Sequence, residues 1–225
     1  MKTIVRNAVM LVSFLGFALA ANALPIAGSS SGVFQNPLHV GPGTMVTTGA
    51  GSNSFTWGVG SPPSSLLFSG GLFAGSTGSP FNVGTITYHN GAITSGTQAD
   101  SVDLSILLAF TNPAGVLQNF TYMLSLINTP NTGDPIASAD IVQFPVSLPT
   151  ETFDVGGILY TLGLEVGTTT AGGFSTQNTF SVLEGETATA TLRGLVTVAT
   201  VPEPGTLALL AAGLFALGFL KRRSA

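Results

Sequence analysis

Ser101-Val102-Asp103-Leu104-Ser105-Ile106-Leu107-Leu108-Ala109-Phe110-Thr111 alternates apolar with polar or small side chains almost without a break. A period of two is the mark of a strand with one buried face. It places Val102, Leu104, Ile106, Leu108 and Phe110 on an inward row. Asp103 faces out, and Asp100 stands at the strand's start.

Similar short runs, rich in Val, Ile, Thr, Phe and Leu and punctuated by Gly, Pro, Asn and Ser, lie on either side. They predict strands over Ser54–Gly58, Ser65–Ser69, Phe81–His89, Phe120–Asn128, Ile141–Leu148, Glu151–Val155, Ile158–Val166, Asn178–Leu183 and Glu186–Val198. Asn90-Gly91 carries a hairpin signal, and Gly156-Gly157 separates two apolar runs as a tight turn would. No stretch of this region sustains helical periodicity over eleven or more residues. The expectation is an all-β domain over 24–200: an antiparallel two-sheet sandwich, jelly-roll-like in topology.

The two ends read differently. Lys2 and Arg6 precede the apolar run Ala8–Ala20, and Ala21-Asn22-Ala23 offers a small-x-small site, so residues 1–23 read as a signal peptide cut by signal peptidase between Ala23 and Leu24. Ala18-Leu19-Ala20 is an alternative site. At the other end Pro202-Glu203-Pro204 leads into the apolar Thr206–Leu220 and then Lys221-Arg222-Arg223. The prolines stop any incoming strand or helix. The apolar segment would rise about 22 Å as a transmembrane helix, short of the ~30 Å hydrocarbon core. Snorkelling cations can absorb that shortfall. The basic tail stays cytoplasmic by the positive-inside rule, leaving the domain on the far side of that membrane.

Composition narrows the function classes. Of six basic residues only Arg193 lies between the apolar runs Ala8–Ala20 and Thr206–Leu220, against ten acidic ones, so the exported part carries a net charge of −9. Such a surface lacks the cations that displace phosphate counterions, which excludes nucleic acid as a partner. With no cysteine in the chain, thiol nucleophiles, iron–sulfur clusters and thiolate zinc sites are excluded too.

Pro202-Glu203-Pro204, the Ala/Leu/Gly-rich segment and the terminal Lys-Arg-Arg together resemble the PEP-CTERM sorting signal of Gram-negative bacteria. The resemblance covers about the last 25 residues and implies recognition by an exosortase-type transpeptidase. It further implies membrane anchoring in transit, then release or re-anchoring at the cell surface or in the extracellular matrix, in association with exopolysaccharide or biofilm. Ser54-Phe55-Thr56-Trp57-Gly58, Ser65–Gly70 and Phe81–Gly91 resemble the choice-of-anchor K domain. A related PEP-CTERM group bears a Thr-His-x-Asn motif, from which Thr87-Tyr88-His89-Asn90 departs in order. Neither resemblance implies an enzymatic role.

Signals for catalysis are sparse. His39 and His89 are the only imidazoles, and there is no Gly-x-Ser-x-Gly, His-Glu-x-x-His or phosphate-binding loop. His89 reads as a strand-end residue. Asp100 and Asp103 fall on opposite strand faces, so no carboxylate pair is placed by spacing for glycosidase chemistry. Asn128, Asn131, Asp134 and Asp140 supply hard oxygens in one polar loop with Gly133, a candidate calcium site. The same residue types build ordinary turns, which is the preferred reading of that loop. Trp57 shares a face with Phe55, favouring core over a sugar-stacking platform. The sequence thus predicts a non-enzymatic exported protein needing no cofactor unless calcium, with a carbohydrate- or calcium-dependent adhesion module as the alternative and a secreted hydrolase third.

Overall fold

The computed structural model describes residues 23–146, 150–176 and 178–199. In chain order the strands are β1 (Pro25–Leu38), β2 (Thr47–Thr48), β3 (Ser54–Trp57), β4 (Ser64–Gly70), β5 (Leu72–Ser76), β6 (Pro80–His89), β7 (Ser101–Asn112), β8 (Val116–Ile127), β9 (Asp140–Gln143), β10 (Glu151–Val155), β11 (Ile158–Thr169), β12 (Gly173–Ser175), β13 (Thr179–Val182) and β14 (Thr187–Val198). They form two seven-stranded sheets, ordered β12-β13-β9-β8-β7-β1-β5 and β10-β11-β14-β6-β4-β3-β2, with every pairing antiparallel. The described residues include no helix, and so none long and apolar enough to cross a membrane. The segments read as signal peptide (1–23) and transmembrane helix (206–220) lie outside the described residues, apart from Ala23.

The alternating rows meet in one core. Val102, Leu104, Ile106, Leu108 and Phe110 of β7 are all buried, as the period of two requires. Facing them, β14 turns Ala188, Ala190, Leu192 and Val196 inward, and Thr187, Thr191 and Leu195 lie on its outer side. Each fully buried Leu, Val or Phe contributes about 1.5–3 kcal/mol, so the inward rows supply most of the drive to close the sandwich. Gly156 and Gly157, both at positive φ, join β10 to β11 through the expected two-residue hairpin, with Val155 opposite Ile158.

Four strands lie outside the sequence expectation: β1, β2, β5 and β12. The largest is β1, a fourteen-residue strand between β7 and β5. Its Gly/Ser-rich start lacks the large alternating side chains that mark a strand in sequence, because close packing leaves them no room. A Cβ on Gly32 would come within 2.6 Å of the Phe68 ring across the core. The Asn90-Gly91 hairpin is corrected: β6 pairs with β4 and β14, and after Asn90 the chain crosses to the other sheet to begin β7.

The sandwich has two distinct poles. Leu24 makes two hydrogen bonds with Thr77 (its N–H to Thr77 Oγ1 at 2.9 Å, its carbonyl from Thr77 N–H at 2.9 Å), and Gly78 N–H donates to Val196 O. The start of β1 and the end of β14 therefore share one pole. The start of β14, paired with His89, lies eleven residues away, about 35 Å at strand rise.

Candidate functional site: an acidic cleft at the far pole

At that second pole, β9 and β13 bring Asp140 opposite Val182. Leu183 to Glu186 form a tight turn: Glu186 N–H donates to Leu183 O at 3.0 Å, and Gly185 takes φ 74°. Glycine suits the third turn position because φ is positive there, and Glu184 occupies the second. The adjoining residue of the other sheet, Asn90, clamps this turn. Its N–H donates to Glu186 O, its carbonyl accepts from Gly185 N–H, and its Nδ2 donates to Val182 O at 3.0 Å.

Tyr88 and Asn90 follow Ile86 on the inward side of β6, all three fully buried. The Tyr88 hydroxyl lies near the Asp140 carboxyl, and Asp140 Oδ1 accepts from Thr129 N–H at 2.7 Å and Thr129 Oγ1 at 3.2 Å. Asp140 is 3% exposed. Burial pushes its carboxyl up to about 6, with the negative charge of Glu184 adding to the rise and the donors Thr129 and Tyr88 opposing it. Burial also raises the Tyr88 hydroxyl well above the usual phenol range, helped by the charges of Asp140 and Glu184. The corner opens into a cleft of about 290 Å³ lined by Gly91, Ile93, Ser95, Asn128, Thr129, Pro130, Asn131 and Glu184.

Of the four residues read as a calcium loop, Asn128 and Asn131 line this cleft, and Asp140 lies behind it through Thr129. Asp134 is engaged elsewhere: its Oδ1 accepts from Ile136 N–H at 2.9 Å and Ala137 N–H at 3.4 Å, closing a local turn. Among the described residues no three His, Asp or Glu side chains cluster as a metal group would. Tyr88, Asn90 and Glu184 were not legible as a site. An acidic residue beside glycine between two strands reads as a solvated turn, and Asn-Gly as a hairpin.

The histidines are both held. His39 Nδ1 lies 2.7 Å from Asp100 Oδ2, which also accepts from Val40 N–H at 2.6 Å. His89 Nδ1 lies 2.9 Å from Thr187 Oγ1 on the neighbouring strand, a side-chain partner at the expected strand end. Trp57 is 3% exposed and stacked between Phe55 and Tyr88, so it belongs to the core.

Residues 200–223 match the PEP-CTERM protein-sorting motif. No curated protein matches the chain. The chain thus carries a PEP-CTERM sorting motif, which implies processing by exosortase, export and passage through the membrane. That motif begins directly after Ala199, whose N–H still bonds to Leu159 O beside the end of β14.

Proposed function

We propose that the chain is a non-enzymatic surface or extracellular-matrix protein of a Gram-negative bacterium, delivered by exosortase and associated with exopolysaccharide or biofilm. The sorting motif at 200–223 carries this reading. It follows directly on the pole where β14 ends. The signal peptide, its cleavage between Ala23 and Leu24, the Thr206–Leu220 membrane helix and the cytoplasmic Lys221-Arg222-Arg223 belong to the same proposal. Leu24 supports it, since the folded domain engages the chain from that residue onward.

Kinship with the choice-of-anchor K and Thr-His-x-Asn groups is part of the proposal as well. The string Thr87-Tyr88-His89-Asn90, which departs in order from the Thr-His-x-Asn motif, includes Tyr88 and Asn90 of the cleft corner. A binding role is the second reading, favoured by the cleft itself.

The test is co-purification. Exopolysaccharide extracted from cells producing the full chain should retain the protein through washing at high salt, and extracts from cells lacking the polysaccharide should not. Equal recovery from both would remove the matrix association. Hydrolysis of that polysaccharide by the purified chain, abolished in His89→Ala or Asp140→Asn, would overturn the non-enzymatic assignment.

A further inference from the structure

We propose that the corner formed by Asp140, Glu184 and Asn90 binds a hard divalent cation, calcium by its all-oxygen donors, admitted through the cleft beside Asn128 and Asn131. This goes beyond the delivery reading and does not depend on it.

Two carboxylates in one corner do not make a site. The second observation is Asn90, which is 0% exposed and has its Nδ2 committed to Val182 O. Its other arm, Oδ1, has no donor. That amide is bonded to Val182, the β13 residue paired with Asp140. The Oε1 of Glu184, on the turn Asn90 clamps, is likewise buried and without a donor. A buried acceptor left unpaired is destabilising, and the corner holds two.

The unmet groups are all oxygen acceptors, which a cation satisfies together. No protein cation is at hand. Arg193 is the only Lys or Arg between residues 24 and 199, and it stands opposite Glu165 in the β11–β14 ladder. It is six residues along β14 from Thr187 at the corner's pole, about 20 Å at strand rise. Calcium takes roughly six to eight oxygens and mixes carboxylate, amide, backbone and water ligands, so two carboxylates and one amide leave room for solvent from the cleft. With so few charged ligands the affinity belongs to the weak range of extracellular modules, about 10⁻⁴–10⁻³ M. Asp134, with its Oδ1 bound into its own turn, is left out of the ligand set.

Terbium luminescence tests the site, because Trp57 stacks on Tyr88, which lies near Asp140, and so provides a sensitiser. The full chain, purified in detergent and stripped with EDTA, is titrated with Tb³⁺ under tryptophan excitation. The expected result is sensitised emission that Ca²⁺ displaces, with affinity lowered about tenfold or more in Glu184→Gln and unchanged in Asp134→Asn. Added Ca²⁺ should raise the Tm of the EDTA-stripped wild type and leave that of Glu184→Gln where it was. Glu184 lies in a surface turn, so this variant keeps the fold. Absence of both emission and a calcium-dependent Tm shift overturns the site, as does a Glu184→Gln chain that behaves as wild type or an Asp134→Asn chain that loses binding equally.

Discussion

The indole of Trp57 stacks on the ring of Tyr88 with centroids 5.7 Å apart and planes 23° from parallel. The pair continues a run of aromatics, from Phe34 through Phe55 to Trp57 and Tyr88 and on to Phe180, that crosses the core. Tyr88 also brings its hydroxyl near the Asp140 carboxyl, so the aromatic run reaches the acidic corner.

Trp57 therefore acts as core. Replacing it by Ala should cost about 3–5 kcal/mol, the range for large aromatic deletions, read as a fall in the denaturant midpoint. Wild-type tryptophan emission should be blue-shifted and poorly quenched by iodide. Efficient quenching would put the ring at the surface.

Asp140 gives the cation-free protein a defined pH response. Its folded carboxyl sits at about 6 against an ordinary value of 3.8, so between these values the folded state holds more protons than the unfolded. Stability is then greatest below about pH 4, declines as pH rises to about 6, and is level above that; the loss is at most about 3 kcal/mol. Urea unfolding in EDTA across that window should reveal the decline. Asp140→Asn should flatten it, and an equal slope in the variant would assign the effect to another group.

Tyr122 offers a stabilising change. Its hydroxyl is buried without a partner, and burial, with the Glu151 charge adding, raises it far above the usual phenol range. Tyr122→Phe removes an unmet polar atom and keeps the stack on Phe120 at 6.2 Å. The expected gain is about 1 kcal/mol, read by chemical denaturation; a loss of similar size would mean the hydroxyl has a partner in solution.

The mature N terminus is a further checkable point. Edman sequencing or intact mass of the exported protein should begin at Leu24, the residue that Thr77 grips through two hydrogen bonds. A start at Ala21 would select the alternative cleavage site.

Legibility followed side-chain size. Strands whose inward residues are large, such as β7 with Leu104 and Phe110 or β14 with Leu192 and Val196, announce themselves by alternation. β1 does not, because its neighbours approach its backbone: Gly32 makes way for Phe68, and Ser30 spends its hydroxyl on the carbonyl of Val83 and the N–H of Gly71. The sorting motif is a local string and was readable at once. The acidic corner joins residues 88, 90, 140 and 184 from two sheets, and single-strand spacing carries no trace of such a meeting. Half the calcium loop lines the cleft, yet Asp134 turned to its own backbone, the common fate of Asp ahead of a turn.

Fractionation with mass measurement tests whether exosortase delivers the chain. In an exosortase-bearing Gram-negative host, the wild-type chain should be recovered outside the inner membrane and shortened at its C terminus near residues 202–204. A chain with Pro202, Glu203 and Pro204 all changed to Ala should stay in the inner membrane with its C terminus intact. If the altered chain reached the outside shortened as the wild type is, the motif would not be its address.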